Sequence, residues 1–186
     1  MLRLLLTVGL TAALALTGAT TFGAQAPKPA AAPVVVLETT KGTIEIETLP
    51  ADAPKSVARF IELATRAFYR GHRFHWVQPH LVQTGDPLSR DMTKRAKWGT
   101  GGSGPSFALR PIGVAEMSKR SFARGLVGLA YVTGAKPESA DSQFFILKVD
   151  NSTLNGKYAA IGRVSRGMAV VDRLDETDSI KAVTVK

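Results

Sequence analysis

The chain has 186 residues, with 24 Lys and Arg against 15 Asp and Glu, a formal net charge of +9 and no cysteine. The lack of cysteine excludes disulfides, a thiol nucleophile and a lipid anchor on an N-terminal Cys. The charge attracts anionic surfaces, but its densest run, RDMTKRAKW (90–98), has one aromatic and no stripe at α-helical spacing. It reads as a solvated surface, and no nucleic-acid partner is expected.

The N-terminus carries Arg3, an apolar run from Leu4 to Leu16 and then Ala24-Gln25-Ala26. This is the layout of a secretory signal peptide over residues 1–26. The run is shorter than the ~20 residues of a membrane span. Pro27 is a poor neighbour for the cleavage site, which leaves Ala19, Ala24 or an uncleaved anchor as alternatives. PKPAAAP (27–33) reads as an extended tether. The remainder, 34–186, is one domain's length. It is expected in a bacterial periplasm or secreted, as a monomer with no membrane contact beyond the signal segment.

VVVLETTKGTIEIETLP (34–50) predicts a hairpin, because Ile44, Ile46 and Thr48 alternate with Thr43, Glu45 and Glu47. ADAPKSVARFIELATRAFYRG (51–71) predicts an amphipathic helix, with Pro54 in its first turn and Val57, Phe60, Ile61, Leu63 and Ala64 at helical spacing up to Gly71. HRFHWVQPHLVQ (72–83) predicts a strand broken at Pro79. A Gly-rich charged loop (85–106), a short strand within 107–117 and strands over 125–132, 142–149, 159–164 and 180–186 follow. A second short helix is placed at 165–176, with loops at 133–141 and 150–158. Strands that do not alternate with helices predict a mainly β, antiparallel barrel capped by two helices.

Several motifs carry little. Gly99 to Gly104 matches G-x-G-x-x-G, but no strand precedes it and Pro105 follows, so it reads as a loop. His72 and His75 face opposite sides of a strand, so no metal site is expected. No cofactor is expected. Asn151-Ser152-Thr153 is a sequon that reads as a turn.

Three segments, FHWVQPHLVQTGDP (74–87), GLVGLAYV to DSQFFIL (125–147) and LNGKYAAIGRVSRGMAVVD (154–172), resemble the cyclophilin-type peptidyl-prolyl isomerases. That family shows FHRVxPxFxxQGGD, a GxxxMA strand leading to SQFFI, and LDGKHxxFGxVxxGMxVV. The resemblance implies a closed eight-stranded antiparallel β-barrel capped by two α-helices. It also implies an isomerase acting on X-Pro bonds of proline-containing polypeptide clients. Trp76 stands where the family keeps its catalytic Arg, and Tyr158 where it keeps a His. Gln83 matches the Gln that grips substrate backbone, and Phe145 the floor of the proline pocket. Leu81, Ala130, Tyr131, Gln143, Thr153 and Leu154 fall on the substrate-binding positions. One residue is missing between Pro79 and Gln83, so His80 competes with Leu81 for its place. Arg73 lies on the wrong face to replace the missing cation, and Arg90, Arg95 and Arg124 are the candidates to reach in from loops.

The expectation is therefore an isomerase weakened by the loss of that Arg. The alternative is a non-catalytic peptide-binding or chaperone-like module on the same barrel.

Overall fold

The computed structural model describes residues 31–132 and 134–186. The expected signal segment and all but the last three residues of the tether lie outside the described residues.

Strands β1 (Val34–Thr39) and β2 (Gly42–Thr48) form the expected hairpin. Helix α1 (Pro54–Thr65) follows, then β3 (Trp76–Val77), β4 (Leu81–Thr84), β5 (Leu126–Leu129), β6 (Phe144–Leu147) and β7 (Ala159–Arg166). A short helix α2 (Met168–Asp172) and β8 (Ile180–Val185) end the chain. All neighbours are antiparallel, in one eight-stranded sheet of order β3-β4-β6-β5-β7-β2-β1-β8. The sheet curls into a half-barrel, and the chain just before β3 is tied to the start of β8. Gly71 N donates to Ile180 O (2.7 Å), Ile180 N to His72 O (2.9 Å), and Arg73 bridges Ser179. The ends are tied at this point, with no β3–β8 ladder among the described residues.

The core lies inside the curl. Val35, Leu37, Ile44, Ile46, Val82, Val127, Phe144, Ile146 and Ile161 are all buried there, one residue in two along each strand. Helix α1 closes it with Val57, Phe60, Leu63 and Ala64. Phe60 meets Phe144 edge-on at 5.1 Å, a favourable aromatic geometry.

Two elements differ from expectation. Helix α1 stops at Thr65 instead of reaching Gly71, because Ala67 takes a left-handed conformation (φ 53°) that turns the chain back. Tyr69 and His72 are thereby driven into the interior. The strand expected within 107–117 is not formed. Pro111 lacks an amide hydrogen, and the N–H groups of Ile112 and Gly113 go to Ala140 O and Glu138 O, not to a sheet edge. The segment has another task. Ala53 cannot cap α1 with its side chain, and Glu116 does so from a distance, accepting from Lys55 N (3.0 Å) and Ser56 N (2.8 Å). The strand count still reaches eight, because 72–83 folds as a hairpin of two strands.

His72 is fully buried, with both ring nitrogens unpartnered among the described residues. Its ring packs edge-on against Phe68 and Tyr69. Burial, then the nearby Arg90 charge, lowers its pKa from 6.5 to about 2. The unfolded chain binds this proton below pH ~6.5 and the folded chain refuses it. Stability is therefore fully present above that pH and falls as pH drops from there toward 2, by ~1.4 kcal/mol per unit from this one group. His72→Phe keeps the ring and removes the titration. Urea unfolding at pH 7 and pH 5 is expected to show a smaller acid loss in His72→Phe than in the parent, by about 2 kcal/mol.

Candidate active site

The strand registers build one row of side chains across the sheet. Trp76 pairs with Gln83, Gln83 with Phe145, Phe145 with Gly128, and Gly128 with Ala160. Paired residues share a face. The neighbouring row, Val82, Ile146 and Val127, points into the core, so this row faces outward. A second, smaller apolar cluster covers it, containing Leu81, Phe122, Leu126, Ala130, Phe145, Leu147 and Ala160, with Leu154 and Tyr158 packed against it.

A cavity of about 520 Å³ opens on this face. Phe145 forms its buried floor, with Leu81, Ala130 and Leu154 beside it. Tyr158 meets Phe145 edge-on at 5.1 Å and stacks on Tyr131 at 5.0 Å. Gln83 and Trp76 complete this wall. His80 and Leu81 both line the cavity, and only Leu81 is buried. Thr153 is exposed in a turn at 152–154, where its hydroxyl donates to Asn151 Oδ1 (2.6 Å), and it is Asn151 that faces the cavity.

Gln143 sits behind Gln83 and organises it. Its amide nitrogen donates to Gly99 O (3.0 Å) and Gly101 O (2.9 Å), using both hydrogens. Its oxygen is left to accept from Gln83 Nε2 (2.9 Å). Gln83 Oε1 then has no partner among the described residues, and it stands as an acceptor for a peptide N–H.

The Gly-rich loop wraps two of the protein's own carboxylates. Asp86, fully buried, accepts from Leu88 N (2.8 Å) and Gly99 N (2.5 Å). Asp141 accepts from Ser103 N (2.6 Å), Ser103 Oγ (2.5 Å) and Arg110 N (2.8 Å). A Cβ on Gly101 would lie 2.3 Å from Asp86 Oδ1, and one on Gly102 2.5 Å from Asp141 Oδ2. Glycine is needed for that close approach. The loop thereby sets Trp98, Gly99 and Thr100 against the cavity.

No Lys or Arg lines the cavity among the described residues. Arg73 donates to Thr177 O (2.6 Å), Arg90 to Arg70 O (3.1 Å), Arg95 pairs with Glu176, and Arg124 pairs with Asp172 (2.7 Å). Each loop arginine that was a candidate to replace the missing charge is thus held elsewhere. Trp76 is 45% exposed, and its indole N–H makes no hydrogen bond among the described residues. His75 also lines the cavity, buried, with both ring nitrogens unpartnered there. Burial lowers its pKa and outweighs the opposing pull of Asp86, so it is neutral at pH 7. Burial, with Tyr131 adding to it, raises the Tyr158 pKa and keeps its hydroxyl protonated as a donor.

The model of the family described as cyclophilin type peptidyl-prolyl cis-trans isomerase/CLD matches residues 34–186. The chain belongs to the cyclophilin-type peptidyl-prolyl cis-trans isomerases. A probable peptidyl-prolyl cis-trans isomerase of Brucella abortus is 39% identical over 156 residues, covering 82% of this chain and 76% of that one. A peptidyl-prolyl cis-trans isomerase of Helicobacter pylori is 30% identical over 149 residues, 79% of this chain and 83% of its own. A solved cyclophilin from Cryptosporidium parvum shares the fold, with a TM-score of 0.66 at 23% identity, covering 82% of this chain and 96% of that one. The chain is thus an isomerase by family. His75, Trp98 and Asn151 went unread as site residues in the sequence. For His75 the signal was its place beside Trp76 within the FHW match to the cyclophilin F-H-R.

The floor of the cavity depends on a residue with no side chain. A Cβ on Gly128 would lie 2.3 Å from Phe145 Cζ and 2.7 Å from Cε1, so the Phe145 ring rests on bare backbone. Gly128→Ala is expected to push the ring into the cavity. The expected result is a loss of ~1–3 kcal/mol in unfolding free energy and at least a tenfold loss, roughly, in isomerase kcat/KM, read by denaturant melts and peptide exchange kinetics.

Proposed function

We propose that this cyclophilin speeds the cis/trans exchange of X-Pro bonds in exported polypeptides, as a monomer, at a rate below that of relatives carrying the arginine. The observation that carries the reading is the cavity. Its apolar floor of Phe145, Leu81 and Leu154 suits a proline ring, and Gln83 at its rim, its amide nitrogen held by Gln143, keeps its oxygen free to accept from peptide backbone. The assignment to exported clients is supported by the N-terminal Arg3, the apolar run and Ala24-Gln25-Ala26. Among the described residues, no helix is long and apolar enough to cross a membrane.

The chemistry needs no bond broken. The X-Pro barrier is ~18–20 kcal/mol, and uncatalysed exchange takes tens of seconds or more. Twisting the amide removes resonance and returns a lone pair to the prolyl nitrogen. A donor aimed there stabilises the twisted state more than either planar one. The family's Arg offers a charged donor, whereas Trp76 offers one neutral N–H. Removing such a donor costs about 100-fold to 1000-fold in rate. Ring burial and the neutral donors Trp76 and Tyr158 leave the remaining acceleration.

Trp76→Arg is expected to raise kcat/KM by at least tenfold, roughly, within the range that one preorganised donor supplies. The assay is NMR exchange on a short X-Pro peptide. Phe145→Ala is expected to abolish activity in both backgrounds. A peptide that binds, by chemical-shift change, without faster exchange in either background would favour the non-catalytic peptide-binding reading.

A further inference from the structure

The basic loop after β4 hides an apolar edge. Residues Met92–Lys97 form a 3₁₀ helix, capped by Asp91, which accepts from Thr93 N (2.9 Å). A 3₁₀ helix has three residues per turn, so side chains three apart lie in one line. Met92, Arg95 and Trp98 are in that line. The sequence lacks an α-helical stripe here because the stripe has a different period.

This edge faces Asp175, Glu176 and Thr177 across a cavity of about 300 Å³. Trp98 is pinned by its indole N–H on Leu88 O (3.0 Å) and Asp91 O (3.2 Å). It lines this cavity and the main one alike, so one side chain divides them. The Arg95 guanidinium lies over the indole at 5.8 Å and is paired with Glu176, and Asp175 has Lys41 at 3.7 Å. The charges at the rim are matched, and what remains open is thioether and indole. Met92 is 46% exposed, one of five large apolar side chains left so exposed among the described residues. Trp76, in the main cavity, is another. Trp98, half-buried, lines both cavities, so the exposed side chains of Trp76 and Met92 stand on either side of one shared aromatic wall.

We propose that the Met92–Arg95–Trp98 edge is a second subsite for the same client, taking one apolar side chain a few residues from the proline. An extended peptide advances ~3.3 Å per residue, so a cavity one indole away is within its reach. The matched charges exclude an ion as the ligand, and the shared wall makes the occupant a continuation of the peptide already bound. The subsite rests on the reading of the main cavity as the X-Pro site.

The test uses the full chain and two kinds of peptide. One is a four-residue peptide with a single Ala-Pro bond, which occupies the main cavity alone. The others are longer Ala-based peptides with one Leu moved stepwise along both sides of the proline. One Leu placement is expected to lower KM about threefold to tenfold against its Ala control. Met92→Asp is expected to remove that gain and leave the short peptide's kcat/KM unchanged, and Met92→Leu to retain the gain. If no placement lowers KM, or the gain survives Met92→Asp, the subsite is overturned while turnover of the short peptide still supports the main reading. If the short peptide is neither turned over nor bound, the main reading fails and the subsite with it.

Discussion

Phe145 lies flat on the backbone of Gly128, and the outer face of the sheet is organised around that contact. Strand β6 alternates its side chains. Phe144 and Ile146 fill the curl of the sheet, while Phe145 and Leu147 form the smaller outer cluster. Because the period is two, a slip of one residue would exchange floor and core. The register is held from both sides, by Gln83 on β4 and Gly128 on β5. The core that stabilises the domain therefore also holds the floor of the cavity in place. A side chain added at Gly128 would push on the Phe145 ring and so on the register that both share.

The polar half of the site follows a different logic. It is built from loops, and loops need anchors. Here the anchors are buried carboxylates that accept backbone N–H groups, Asp86 from Leu88 and Gly99, Asp141 from Ser103 and Arg110. Carboxylates buried with several donors are satisfied, and the hydrogen bonds fix the backbone that supplies them. The carbonyls of Gly99 and Gly101 are thereby placed to orient Gln143, which in turn orients Gln83. The orientation of one rim amide depends on a carboxylate three hydrogen bonds away.

Charge is the notable subtraction. The chain carries 24 Lys and Arg, yet none lines the cavity among the described residues. The loop arginines are spent on carbonyls and carboxylates that hold the scaffold, and aromatic rings stand in the cavity instead. Trp76, Tyr131 and Tyr158 offer neutral donors and flat faces, which suit contact with proline and apolar side chains more than charge stabilisation. That balance underlies the proposal of slow turnover and of a second apolar subsite.

Much of this was legible from residue order. Alternation in 34–50 and the apolar spacing in 54–64 reflect local rules, so the hairpin and the start of α1 could be read directly. The FHW, SQFF and LNGK segments placed Trp76, Phe145, Tyr158 and Leu154, because contiguous strand residues keep their relative facing. The end of α1 was not legible, since Ala67 adopts a left-handed turn that an alanine side chain does not favour, and that turn carries Tyr69 into the core. Glu116 capping α1 and the arginines held elsewhere are contacts across tens of residues, with no local signature. The Met92–Arg95–Trp98 edge was hidden by its period of three. Local spacing encodes which face a side chain takes along one element. Which distant partner it meets there depends on how the sheet curls and where the loops are tied, and that emerges when the chain is closed on itself.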